Sequence, residues 1–233
     1  MKVRIKFSKH GVMKFIGHLD IMRYFQKAIR RTDIDIAYST GFSPHQIMSF
    51  AMPLGVGLES DGEYFDVEMN SIASCQDMQE RLEQEMAPGM HILSVKVLPE
   101  TAGNAMASVA AAKYQVSFRD GHTPVIDWKS QLPLFYQQDS IIVTKQTKKS
   151  KMELDLKPGI YELKIVGDTI NMLVDASSAG NIKPSLVLEA FYKENGQALS
   201  EFDLEVLRME TYMNAGTKEK PNFVPLDDIG SIL

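Results

Sequence analysis

Three of the five histidines in this chain of 233 residues, His10, His18 and His45, fall within the first 45 positions, and Asp20 stands two places after His18. An imidazole beside a carboxylate is the smallest arrangement that can act as a general base, the carboxylate orienting the ring that takes the proton. His18, Asp20 and His45 are therefore the candidate catalytic residues. The same residue types bind metals when several converge, but their spacings here match no ligand motif and no metal is expected. "GHLD" also has a structural explanation. Gly17 permits a turn, and Asp20 falls in the first turn of a helix, where exposed N–H groups favour a carboxylate.

The second candidate is "YSTGFSPHQIMSFAMPLGVGLES", residues 38 to 60. Within it the N–H groups and hydroxyls of "STGFS" (Ser39, Thr40 and Ser43) suit an anion, with Gly41 supplying positive φ, Phe42 beside it and Pro44 fixing the approach to His45. The glycines of "PLGVGLESDGEYFD" match neither a phosphate-binding P-loop nor the dinucleotide fingerprint. That run reads as a loop between strands, carrying Glu59, Ser60 and Glu63 towards the same edge.

Cations flank this stretch. Lys2, Arg4 and Lys6 alternate with Val3, Ile5 and Phe7, so the strand has one basic face. Arg23, Lys27, Arg30 and Arg31 lie off the apolar stripe of Met22, Phe25 and Ile29 on a helix from about His18 to Arg31. Residues 1–50 hold nine Lys and Arg against three Asp and no Glu, a balance of +6; residues 51–100 hold two against ten acidic residues, a balance of −8. Two readings stand. A positive surface there attracts phosphate, or the two quarters pair within one folded unit. On the first, Arg4, Lys6, Arg23, Lys27, Arg30, Arg31, Tyr38, Ser39, Gly41, Phe42, Ser43, Glu59, Ser60 and Glu63 form the ligand-binding set.

Composition excludes several classes. At 44% hydrophobic and 24% charged residues, the chain is neither disordered nor a membrane protein by type. The first twenty residues lack the apolar core of a signal peptide, no run of about 18 apolar residues occurs, and a cytoplasmic location is expected. Cys75 is the sole cysteine, so no internal disulfide and no cluster held by several cysteines can form. It shares a helical face with Met78, Leu82 and Met86, which reads as core. No cofactor is expected.

The elements that must position these residues follow from pattern. "KVRIKF", "IDIAY", "QIMSFAM", "GEYFDVEM" and "HILSVKVL" read as strands or apolar stretches, with helices over about 18–31 and from Ser74 to Pro88. The order β-α-β-(β)-β-α-β over residues 1–98 matches a ferredoxin-like, split β-α-β arrangement. Residues 99–112 read as a linker, and residues 113–233 as a second such unit with a tail from about Tyr212. That unit holds a hairpin turning at Gly167-Asp168, a helix opening near Pro184 and an exposed basic loop at 145–151. The expected class is α+β, two ferredoxin-like units with antiparallel sheets.

"RIKFSKHGVMKFIGHLDIMRYFQKAIRR", "YSTGFSPHQIMSFAMPLGVGLES" and "GEYFDVEM" together resemble the bacterial radical SAM-linked protein family, a domain of unknown function, over roughly residues 2 to 210. The resemblance carries Phe15, Gly17, His18, Leu19, Asp20, Arg23, Arg30, Arg31, Tyr38, Gly41, Phe42, Pro44, His45, Pro53, Leu54, Gly55, Glu59, Ser60 and Glu63 as signature positions. Gln46 departs from the second proline of many members. The resemblance implies a partner, a separate radical SAM enzyme. This chain has no Cys-x-x-x-Cys-x-x-Cys and cannot itself hold that enzyme's iron–sulfur cluster. The expected function is an accessory or substrate-recognition protein binding RNA or another phosphate-bearing ligand. The alternatives are an enzyme with a His/Asp/Glu pocket and a purely protein-binding adaptor.

Overall fold

The computed structural model describes residues 1–146, 151–200 and 202–232. They form two compact units, Met1–Ala110 with Arg208–Leu233, and Ala111–Leu207. In chain order the elements are β1 (Lys2–Lys9), a 3-10 turn (Gly11–Phe15), α1 (His18–Arg31), β2 (Met48–Phe50), β3 (Glu59–Glu68), α2 (Cys75–Gln84), β4 (Met90–Val97) and α3 (Ala105–Ser108). Then come β5 (Ala111–Phe118), α4 (Trp128–Gln137), β6 (Ile142–Gln146), β7 (Lys151–Asp155), β8 (Ile160–Val166), β9 (Thr169–Asp175), α5 (Pro184–Glu194), β10 (Leu204–Asn214) and β11 (Phe223–Pro225).

The first unit is a mostly antiparallel sheet with helices, its strands ordered β4-β1-β3-β10, with β2 on β3 and β11 on β10. β1 pairs antiparallel with both β3 and β4, Ile5 opposite Phe65 on one side and Val95 on the other. The alternation of β1 sends Val3, Ile5 and Phe7 to one face, where Phe7, Phe25, Phe50 and Phe65 draw strands and helix α1 into one aromatic cluster. Phe7 and Phe25 sit edge to face at 4.7 Å, and Phe50 stacks on Phe65 at 5.1 Å. Ser74 caps α2 by accepting from the Asp77 N–H, and Cys75, Met78 and Leu82 bury as one stripe.

The second face of this sheet corrects one expectation. Lys2, Arg4 and Lys6 do not line an open basic surface, because the segment after β10 crosses that face. Leu226 is fully buried there, and its carbonyl accepts from Arg4 Nη1 at 2.6 Å. Val97 and Ser231 form an isolated bridge beyond it. The chain after residue 208 thus belongs with residues 1–110, not with a second unit starting at 113. Nor is 99–112 a bare linker. Asn104 caps α3, Ala105 and Val109 are buried, and β5 has begun by Ala111; side chains this small pack closely without producing a visible hydrophobic period.

In the second unit β5, β9 and β8 lie side by side, β8 and β9 turning at Gly167 with φ +62°, while β6 and β7 pair with each other outside that sheet. The hairpin and the helix opening at Pro184 stand where the sequence put them. The separate β6–β7 ribbon does not follow the expected order. Of the basic segment 145–151, residues 147–150 lie outside the described residues.

Candidate functional site

Gly17, the residue that precedes α1, takes an ordinary extended conformation (φ −72°), so its glycine freedom is not used there. Ile21, Phe25, Ala28 and Ile29 turn into the core, leaving Leu19, Asp20, Arg23, Lys27, Arg30 and Arg31 exposed. Asp20 pairs with Arg23 at 3.1 Å, and Arg31 pairs with Glu85 beyond the end of α2. Among the described residues Lys27 forms no ion pair, and Arg30 donates only to the Gln26 carbonyl, at 3.1 Å. The cationic face is therefore narrower than the sequence count implied, and its open charges are Lys27 and Arg30.

Next to that face stands the loop from Tyr38 to Gln46. An isolated bridge between those two residues closes its base. Inside it the Ser39 N–H donates to the His45 carbonyl at 2.8 Å, the His45 N–H donates to Ser39 Oγ at 3.1 Å, and Ser39 Oγ lies 2.8 Å from His45 Nδ1. His45 is thereby part of the loop's own bracing. Gly41 has φ +120°, outside the range other residues adopt readily, and the following Phe42 is fully exposed. Gln46 ties the loop to the helix, its amide donating to the Gln26 carbonyl at 3.3 Å.

The expected catalytic set is not assembled. His18 lies edge-on against Phe50 at 5.1 Å, Asp20 holds Arg23, and His45 holds Ser39. Hydrogen bonds and ion pairs join no two of His18, Asp20, His45, Glu59 and Glu63 among the described residues, and none of their His, Cys, Asp and Glu side chains group as a metal site. Each side chain satisfies a local partner first, which spacing along the chain does not reveal.

Four expected ligand contacts are internal. Arg4 Nε and Nη2 grip the Asp66 carboxylate at 2.7 and 2.9 Å, and Lys6 pairs with Glu210 at 2.5 Å. Ser60 and Glu63 belong to β3, not to a loop. Both are buried, Ser60 donating to Glu63 at 2.7 Å and Glu63 accepting from Arg208 Nη1 at 2.7 Å. A strand covered on both faces buries the side chains of both its alternating sets, so polar ones such as Ser60 and Glu63 must find partners.

Two further groups have partners that the sequence did not indicate: Lys9, which was not singled out, and His10, noted only as one of the three clustered histidines. Lys9 is 2% exposed, and burial lowers its pKa while its ammonium donates to the Ile16 carbonyl at 3.0 Å. His10 Nε2 lies 2.6 Å from Asp61 and Nδ1 3.3 Å from Glu59, whose other oxygen accepts from the Gly11 N–H at 3.0 Å. Burial opposes the charge on His10, but the two carboxylates outweigh it and raise its pKa. Only the register that sets Lys9 against Ser60 brings these positions together.

Fold and site thus define a mixed α/β protein with a large, mostly antiparallel sheet and a helix whose cationic face adjoins a braced, aromatic-tipped loop. The chain belongs to the bacterial family described as "Uncharacterized protein conserved in bacteria (DUF2344)", whose match covers residues 2–184. No curated protein matches it. Among solved structures it is similar to a chain of "Crystal Structure of a Cbf5-Nop10-Gar1 Complex", at 11% identity and a TM-score of 0.45 over 90% of this chain. That match covers 48% of the other chain, so this chain spans about half its length. No helix among the described residues is long and apolar enough to cross a membrane.

Proposed function

We propose that this protein is an accessory or recognition protein that binds RNA through the outward face of α1 and the neighbouring loop. The observation that carries the reading is the pairing of two cations without carboxylate partners among the described residues, Lys27 and Arg30, with a loop fixed to the same turn through Gln46 and Gln26. Exposed cationic side chains free of counter-charges are those that can replace the cations condensed on a nucleic acid's phosphates. The ferredoxin-like reading of residues 1–98 accompanies it, supported by the element order and by β4-β1-β3 with β2 on β3.

The resemblance noted from sequence supplies the partner of this reading, a separate radical SAM enzyme. Exposed Val12, Phe15, Leu19 and Val56 support a protein contact, with the Gly57 N–H donating to the Lys14 carbonyl so that Val56 lies near Phe15. The pocket enzyme is not carried forward, since its residues have separate partners.

The test is binding of a mixed small-RNA pool at low and moderate salt, with Lys27→Glu/Arg30→Glu alongside. Salt-sensitive binding lost in the variant is expected. Absence of binding by the natural protein overturns RNA as the ligand, and a pull-down with the radical SAM enzyme then tests the adaptor reading.

A further inference from the structure

Phe42 is the most exposed large apolar side chain described, at the tip of a loop that is otherwise well tied. Burying a phenylalanine ring is favourable, and this ring forgoes that gain. Its position is built into the backbone: Gly41 takes its positive φ immediately before, and the Ser39–His45 bonds hold the loop's base. Tyr38, at that base, is half exposed. The loop is also fixed in relation to charge, because the Gln26 carbonyl accepts from both Gln46 and Arg30. One turn of α1 therefore carries Lys27 and Arg30 and also anchors, through Gln46, the base of the loop that projects Phe42.

Resting on the RNA reading above, we propose that the ligand is single-stranded, one unstacked base lying on the Phe42 ring while adjoining phosphates meet Lys27 and Arg30. A duplex keeps its base faces stacked inside and offers this ring nothing flat to meet, whereas a single strand offers a π-face at every nucleotide. Phosphate attraction alone would need no aromatic ring, and a braced loop with Phe at its tip is what a stacking platform requires. Stacking tolerates any base, so the inference names strandedness and not sequence.

The experiment is fluorescence anisotropy with a labelled single-stranded RNA of about 12 nucleotides, within the site size of such platforms, and with the same RNA annealed to its complement. Wild type is compared with Phe42→Ala, Phe42→Trp and Lys27→Glu/Arg30→Glu. We expect the single strand to bind more tightly than the duplex, and Phe42→Ala to weaken it by about 5- to 150-fold with an unchanged urea midpoint. Phe42→Trp should keep the affinity and be quenched by RNA; the one native tryptophan, Trp128, is buried and serves as the background. Equal binding of both RNAs with no effect of Phe42→Ala, but loss in the double charge variant, overturns stacking and leaves the phosphate reading standing. No binding of either RNA by wild type overturns both.

Discussion

The guanidinium of Arg4 meets the carboxylate of Asp66 through two hydrogen bonds, 2.7 and 2.9 Å long, in the interior of the first unit, and a third bond of 2.6 Å ties it to the Leu226 carbonyl. This pair links β1 to its neighbour β3 and to the segment that returns from the C-terminal end. Arg4→Met leaves the Asp66 charge buried without its partner, and urea unfolding should show a loss of about 3–5 kcal/mol. Arg4→Met with Asp66→Leu should recover most of that loss. A double variant as unstable as the single would mean that the pair itself, not the stranded charge, stabilises the fold.

Gly62 carries a different kind of constraint. A Cβ there would lie 2.5 Å from the Glu210 Cα, where β10 approaches β3. Backbone cannot yield as a flexible side chain does, so Gly62→Ala should destabilise by at least about 1–3 kcal/mol. Thermal unfolding checks it, and an unchanged midpoint would show that the strands separate without cost.

His10 should titrate above its ordinary value, since Asp61 and Glu59 overcome the effect of burial. A raised folded pKa adds stability that is fully present below the unfolded value of about 6.5 and is lost as pH rises through the folded one. Ring chemical shifts followed by NMR should place His10 above that range, and Asp61→Asn should bring it down. Titration of the natural protein at or below the ordinary value would refute the clamp.

The charges on α1 should not contribute equally to RNA binding. Arg31 is already held by Glu85, whereas Lys27 and Arg30 have no carboxylate partner among the described residues. Lys27→Ala should therefore reduce the slope of log affinity against log salt by about 0.7 on a single strand, and Arg31→Ala should change it less. Equal reductions would place the phosphates along the whole helix.

Much of the local structure was legible because it depends on neighbours in sequence. Periodicity alone puts Val3, Ile5 and Phe7 on one face of a strand and Phe25 and Ile29 on one face of a helix, and Ser74 followed by Asp77 marks where α2 begins. Gly41 before Phe42 announced a loop with positive φ. These signals need no partner from elsewhere in the chain. Charge is different. The count of +6 in the first fifty residues was correct, yet it did not tell which cations are spent on Asp66, Glu210 and Glu85 and which stay open. That allocation rests on antiparallel register, on the return of residues 208–232 across the sheet and on the packing of α1 against the rest of the first unit. Electrostatic pairing acts through space at a few ångströms, so only the tertiary structure could separate the buried Arg4 from the open Lys27, and set His10, not His18, between two carboxylates.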